Sequence, residues 1–272
     1  MERLEEKVAV ITGASSGFGR EMSITFAREG AKIVCADINR EPNPDGYEEK
    51  KEPTDQEIVS AGGQAVFVKC NITQQDEVTN LIQTAVSTFG RLDIMMCNAG
   101  VYRAGMLTHE MPVEFLDDCL NVNVRGTWFC CQEAIKQFLA QKTRGKIIVT
   151  CSSSAINPYP VQAPYSMSKA AIGMLAQTLA LEYGAAGINT NAICPTGCKT
   201  ALTSNGYNDE NFRRIQTSKI PLGRWGEPKD VANLALFLAS DEADYMNGAM
   251  VLLDGGETLS GTRISDFGIA FE

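Results

Sequence analysis

Tyr165 and Lys169 stand four residues apart in the run Tyr165-Ser166-Met167-Ser168-Lys169, at the start of a helical pattern. That spacing puts both side chains on one helix face, about one turn apart. A phenol with a pKa near ~10 is a poor base at neutral pH. An ammonium held beside it favours the phenolate and lowers that pKa toward the working range. Thirteen residues upstream, Ser152 follows the apolar run Gly145 to Cys151, which reads as a strand. Ligands of open parallel sheets bind at the carboxyl ends of strands. A hydroxyl there can hold a carbonyl oxygen for the tyrosine to protonate. Ser153 is the rival for this role.

A second pattern lies near the amino terminus. Thr12-Gly13-Ala14-Ser15-Ser16-Gly17-Phe18-Gly19 follows an apolar strand and opens a helix. Gly13 permits the tight turn, Gly17 lets backbone approach a pyrophosphate, and Gly19 lets the helix pack close to the strand. Backbone N–H groups and the helix dipole favour a phosphate at such a place. Asp37 ends the next strand, where a carboxylate accepts hydrogen bonds from an adenosine ribose and repels a 2′-phosphate. That favours NAD over NADP. Arg40, three residues on, is the opposing feature, since an arginine there can accommodate the phosphate.

The elements that must position these groups alternate along the chain. Short β-rich runs at Val8 to Thr12, Lys32 to Ala36, Ala65 to Cys70, Asp93 to Cys97, Gly145 to Cys151, Asn189 to Cys194 and Ala249 to Leu253 are separated by helical patterns. The first helix opens at Gly17, and the others lie near 75–89, 113–141, 164–184 and 228–239. This βαβ alternation predicts one doubly wound α/β domain, a parallel sheet with helices on both faces. Asn39 to Gln56 carries three prolines and dense charge and reads as a solvated loop, longer than such a connection needs. The tail from Glu257 to Glu272 is more apolar than a disordered tail and is able to cross to a neighbouring subunit's pocket, which burial of Phe267 and Phe271 against a partner chain would support.

Composition removes several alternatives. The chain has 272 residues, 44% hydrophobic, with a net charge of −9, which argues against nucleic acid as a partner. One histidine, His109, cannot supply most zinc or non-haem iron sites, so no metal is expected, and its polar neighbours suggest a surface imidazole. Nine cysteines without CxxC spacing sit mostly in apolar runs and read as buried thiols. The charged start and the lack of an apolar stretch of about 18 residues predict no signal peptide and no membrane span, hence a cytoplasmic protein with reduced thiols.

Taken together in order and spacing, these residues resemble the short-chain dehydrogenase/reductase family, in the group with a TGxxxGxG turn. The likeness runs over residues 6 to 256. It implies a single Rossmann-type domain spanning 1–272 with strand order 3-2-1-4-5-6-7. It implies Tyr165 as general acid/base, Ser152 as stabiliser of the substrate oxygen, and Lys169 as binder of the nicotinamide ribose that also lowers the tyrosine pKa. Asn123 would kink its helix and hold a water in a proton relay. Cofactor contacts implied by the resemblance fall on Gly13, Ser15, Ser16, Gly17, Phe18, Gly19, Asp37, Asn71, Ile72, Asn98, Ala99, Gly100, Tyr165, Lys169, Pro195, Cys198 and Thr200. Three positions depart from the family pattern: Cys97 before Asn98-Ala99-Gly100, Asn71 in place of an aspartate, and Thr196 after Pro195.

The family's architecture also implies a substrate pocket. Ser154, Ile156, Pro158, Tyr159, Pro160 and Val161 would line one wall. Leu202, Tyr207, Phe212, Ile220 and Trp225, from the substrate-binding segment 198–226, would line the other. So apolar a lining suits a bulky secondary alcohol or ketone, such as a hydroxysteroid or bile acid, with NAD(H). A 3-oxoacyl-carrier-protein reductase or another alcohol dehydrogenase is the alternative enzyme, and an NAD-binding sensor the non-enzymatic one. Members are usually homotetramers or homodimers, here paired through 113–141 and 164–184 with Trp128, Phe129, Met174 and Leu175 compatible. Cys97, Cys151 and Cys198 lie in or beside these motifs, so thiol modification is expected to lower activity.

Overall fold

The computed structural model describes residues 2–48 and 51–259. Seven strands form one sheet: β1 (Val8–Thr12), β2 (Lys32–Asp37), β3 (Gln64–Lys69), β4 (Ile94–Cys97), β5 (Gly145–Thr150), β6 (Ile188–Pro195) and β7 (Met250–Leu253). All pair in parallel, in the order β3-β2-β1-β4-β5-β6-β7. Every expected strand is present, with ends that move by no more than one residue. The order reverses between β1 and β4, and that is where an open α/β sheet leaves its ligand crevice.

The strands are apolar along their whole length because both faces are covered. β1 shows the arithmetic: Val8 and Val10 point into one core, Ala9 and Ile11 into the other, as the two-residue period of a strand requires. Helices α1 (Gly17–Arg28), α2 (Thr54–Ser60) and α9 (Pro228–Ala239) cover one face through Met22, Phe26, Ile58 and Val231. Helices α3 (Gln75–Phe89), α5 (Thr127–Gln141) and α6 (Ala163–Tyr183) cover the other through Leu81, Phe138 and Ile172.

The amino ends of the strands are tied by charged groups. Asp93 accepts the Val8 N–H at 3.0 Å and pairs with Arg91 at 2.6 Å. Lys146 at the start of β5 pairs with Asp244 at 2.6 Å, and Asn189 donates to the Asp244 and Met246 carbonyls at 3.1 Å each.

Three expectations need correction. The loop from Asn39 to Gln56 is not solvated throughout, because α2 begins at Thr54 directly after Pro53, and Thr54 and Asp55 are buried. Its charges find partners brought close by the fold: Arg40 pairs with Asp55 at 2.5 Å, and Glu48 accepts the Gly17 N–H at 2.7 Å. The 113–141 stretch is three pieces: α4 (Val113–Asp118), a π-helical turn (Cys119–Gly126) and α5. Phe129 faces the core and is unavailable for pairing, whereas Trp128 and Met174 are exposed. Two short helices, α7 (Ser204–Asn208) and α8 (Glu210–Lys219), fill much of 198–226; the Asp209 side chain caps α8 by accepting the Phe212 N–H at 3.0 Å. Residues 260–272, including Phe267 and Phe271, lie outside the described residues.

Candidate active site

At the carboxyl ends of the central strands, buried polar groups lock neighbouring segments together. The Thr12 hydroxyl accepts the N–H groups of Asn98 and Ala99 at 2.9 and 3.1 Å. Asn98 Nδ2 donates to the Thr12 carbonyl at 3.0 Å, and its Oδ1 accepts the Thr150 hydroxyl at 3.1 Å. One asparagine thus joins the tops of β1, β4 and β5. The same end of the sheet opens into a cleft of about 450 Å³, a size typical of ligand sites. Its walls are Gly13, Ser16, Gly17 and Phe18 of the first turn, Asn98, Ala99 and Gly100 after β4, Ser152, Tyr165 and Lys169, and Pro195, Cys198 and Thr200 after β6. A second concavity of about 510 Å³ along α8 contains none of the expected catalytic or cofactor residues and, of the expected substrate wall, only Ile220.

The first turn fits a dinucleotide phosphate. Gly13 and Gly17 adopt φ of +66° and +54°, the left-handed region. A Cβ on Gly13 would sit 2.9 Å from Asn98 Nδ2, and one on Gly19 would overlap the Gly13 carbonyl. Only glycine keeps the helix this close to the strand. The Gly17 N–H donates to a carboxylate, Glu48 Oε1, at 2.7 Å, so the turn holds an anion of the chain's own. Asp37 accepts the N–H groups of Ser15 and Ile38 at 3.0 and 2.7 Å, which fixes its carboxylate beside the turn at the end of β2. Ser15 donates its hydroxyl to the Asn39 carbonyl at 2.6 Å.

Ser152, Tyr165 and Lys169 come together at the floor of the cleft. Ser152 shares a 2.7 Å contact with the Ser154 hydroxyl and accepts the Ser154 N–H at 3.2 Å. Burial raises the Tyr165 pKa well above the ordinary phenol value, and a hydrogen bond from Ser152 opposes that. The Lys169 ammonium donates to the Thr150 carbonyl at 2.8 Å and stands 5.6 Å from the Tyr165 ring centre. Burial pushes its own pKa down.

Asn123 lies in the π-helical turn and is fully buried. Its side chain clamps Val101 at both backbone groups, accepting the N–H at 2.8 Å and donating to the carbonyl at 3.0 Å. Nδ2 also donates to Ser168 at 2.9 Å. Asn71 Oδ1 accepts both the N–H and the hydroxyl of Thr73, at 3.1 and 2.9 Å, in a turn that leads into α3. Ile72 is buried where a side chain on Gly126 would collide with it. The Thr200 hydroxyl faces that of Thr203 at 3.2 Å. Among the substrate-wall residues, Leu202 lines the cleft, while Tyr207 and Phe212 pack edge-on against buried Trp225 and close the α7–α8 segment on itself.

Sequence reasoning misses Thr150 and Tyr102. Thr150 holds both Asn98 and Lys169, and nothing but its place at a strand end marks it. Tyr102 packs edge-on against Tyr165 at 4.9 Å and donates to Gln162 Oε1 at 2.9 Å. Only its position two residues after Gly100 could have drawn notice.

Fold and site together define a nicotinamide-dependent oxidoreductase of the Rossmann type, and the chain belongs to the short-chain dehydrogenase/reductase family, whose named members here are dehydrogenases and reductases. A family model described as enoyl-(acyl carrier protein) reductase matches residues 13–258. The chain is 38% identical over 262 residues to a diacetyl reductase [(S)-acetoin forming] of Staphylococcus epidermidis, covering 92% of this chain and 98% of that one. It is 37% identical over 256 residues to 3beta-hydroxysteroid dehydrogenase 1 of Eggerthella lenta, covering 94% and 95%. Among solved structures, a putative gluconate 5-dehydrogenase of Beutenbergia cavernae with bound NADP superposes with a TM-score of 0.85 at 30% identity, covering 95% and 99%. A 3-ketoacyl-(acyl-carrier-protein) reductase of Brucella melitensis complexed with NADH gives 0.81 at 31%, covering 94% and 99%. The chain is an oxidoreductase acting on alcohols and ketones with a nicotinamide cofactor. No helix among the described residues is long and apolar enough to cross a membrane.

Proposed function

We propose that this protein interconverts a bulky, apolar secondary alcohol and its ketone with NAD(H), using Tyr165 as the proton donor and acceptor. The observation that carries the reading is the Ser152–Tyr165–Lys169 group at the floor of a cleft whose mouth exposes apolar side chains. The Gly105 N–H donates to the Val161 carbonyl at 2.8 Å and joins the segment after β4 to the one before α6. At that junction Met106 and Val161 are exposed, and the exposed side chains of Tyr102 and Leu202 line the cleft itself. Exposed apolar groups grouped beside a cleft favour an apolar ligand.

The cofactor's nicotinamide would supply or accept the hydride. Gly13, Ser16, Gly17 and Phe18 are positioned to hold its phosphates, and Lys169, Asn98, Pro195 and Thr200 to line its nicotinamide half. In the reductive direction Ser152 holds the carbonyl oxygen and the Tyr165 hydroxyl gives that oxygen its proton. In the oxidative direction the phenolate takes it back. Asp37 at the end of β2 supports NAD. Arg40, the one feature that favoured NADP, has both its Nε and Nη2 on Asp55, at 3.2 and 2.5 Å, and is occupied. Pairing into a dimer or tetramer through α5 and α6 is supported by the exposure of Trp128 and Met174.

The test is a panel of hydroxysteroids, bile acids, small diketones and 3-oxoacyl thioesters with NADH and NADPH, run beside Tyr165→Phe. The expected result is highest kcat/KM on a steroid-sized ketone with NADH, and a loss of about 10²- to 10⁴-fold in Tyr165→Phe. Equal rates in the two proteins refute the proton-transfer role. Preference for diacetyl over every bulky ketone refutes the substrate class.

A further inference from the structure

Residues 43–48 cross the mouth of the phosphate-binding turn, and their contacts do not resemble those of a free loop. The Asn43 N–H donates to the Ser16 hydroxyl at 2.6 Å, and Glu48 Oε1 accepts the Gly17 N–H at 2.7 Å. Both acceptor and donor belong to the turn assigned above to the cofactor. The far wall is gripped as well. The Tyr47 hydroxyl donates to Asn208 Oδ1 on α7 at 2.7 Å, and its ring meets Tyr207 edge-on at 5.5 Å. Lys199 places its ammonium 4.9 Å from the Tyr47 ring centre and 5.3 Å from that of Tyr207. The segment is a strap between the cofactor turn and the helix over the substrate end.

Glu48 is the notable member. A carboxylate at a backbone N–H of a helix amino terminus is the side-chain counterpart of a phosphate there. Reaching it requires the chain to fold back over Gly46, where any side chain would overlap the Glu48 carboxylate. The second oxygen, Oε2, is buried with no hydrogen-bond partner among the described residues. A buried, half-satisfied carboxylate is costly, so this anion is one that a better-satisfied anion can replace.

We propose that Glu48 is an internal competitor of the cofactor: its carboxylate takes the Gly17 N–H that a dinucleotide phosphate needs, so cofactor binding must displace it and open the 43–48 strap. The proposal rests on the reading of the first turn as a dinucleotide site. It makes the apparent cofactor affinity lower than the intrinsic one by the fraction of molecules with the strap displaced. Like charge adds to the competition, because the carboxylate and the pyrophosphate cannot share one donor pocket.

The experiment is equilibrium binding of NADH, ADP-ribose and adenosine to the full chain, wild type beside Glu48→Ala, Glu48→Gln and Gly46→Ala. Asp45→Asn, an exposed carboxylate of the same strap, controls for charge alone. The expected result is a Kd for NADH and ADP-ribose lowered about tenfold in Glu48→Ala, or ~1.4 kcal/mol, and lowered to a lesser degree in Glu48→Gln and Gly46→Ala. Adenosine, which lacks phosphate, and Asp45→Asn are expected to move less than about twofold. Glu48→Ala is also expected to lower the Tm of the protein alone and not that of the NADH-saturated protein, since the contact exists only in the former. If wild type binds NADH and Glu48→Ala binds it with a Kd within twofold, the competition does not exist. If neither wild type nor variants bind any nicotinamide dinucleotide, the reading of the turn itself fails.

Discussion

Replacing Asn123 by alanine tests how the site is held together. Three hydrogen bonds leave at once: two to the Val101 backbone, at 2.8 and 3.0 Å, and one to Ser168 at 2.9 Å. The residue is fully buried, so water does not replace them. A typical net bond contributes about 1 kcal/mol, and each orphaned buried group costs about 1–3 kcal/mol. Ser168 keeps its bond to the Tyr165 carbonyl at 2.7 Å, which limits the loss at that end. The expected destabilisation is therefore ~2–4 kcal/mol, a fall in Tm of roughly 4–8 °C for a chain of this size. Ser168→Ala removes only one of the three contacts to Asn123 and is expected to cost about 1 kcal/mol. Thermal unfolding by circular dichroism reads both, and kcat/KM on any accepted ketone reads the effect on the adjoining Tyr165 and Lys169. A Tm for Asn123→Ala within about 1 °C of wild type would show that the clamp carries little energy and that the loop after β4 is held by its other contacts.

Three other expectations follow from named contacts. Asp55→Asn weakens the hold on Arg40 and is expected to raise the ratio of kcat/KM for NADPH over NADH about five- to tenfold; an unchanged ratio means Arg40 does not reach the 2′ position. Asp244 is held below the ordinary carboxylate range, first by its hydrogen bond to Lys146, so its stabilisation is present above a pH of about 4 and lost as pH falls through its lower folded value. Asp244→Asn should accordingly show a smaller drop in Tm between pH 6 and pH 3 than wild type, and parallel curves would count against the pairing. Cys151, lowered to about 7 mainly by its hydrogen bond from Cys194, is expected to be the thiol whose slow modification inactivates the enzyme. Burial pushes Cys198 up to about 12, so Cys151→Ala should resist a small thiol reagent while Cys198→Ala stays sensitive; the reverse order, read by mass spectrometry of the labelled site, overturns this.

The sheet was legible because parallel strands covered on both faces are continuous apolar runs, and those runs set their own limits to within a residue. The site was legible where chemistry demanded one residue type: a glycine where φ is positive, a tyrosine four residues before a lysine. It was not legible where an interaction spans the chain. The charges between Asn39 and Gln56 look solvated in sequence because Asp55 and Glu48 meet Arg40 and the Gly17 N–H only after folding. The local turn that takes up the Asn71 side-chain oxygen depends on Thr73 and was not read from the sequence. The tyrosine–lysine pair gave the right neighbours, whereas the burial of Tyr165 and the turn of the Lys169 ammonium to the Thr150 carbonyl were invisible in sequence.

The polarity of the sheet divides labour along each strand. Thr12, Asn98 and Thr150 fix the end where chemistry occurs, and Asp93, Lys146, Asn189 and Asp244 fix the other. β5 is six residues long, about 20 Å at a strand's rise per residue, so the two groups share no partner. Contributions from sites that far apart add nearly independently. An engineer can therefore harden the amino-end layer against heat while leaving turnover untouched, or retune the carboxyl-end layer for a new ketone and draw on stability stored at the opposite pole.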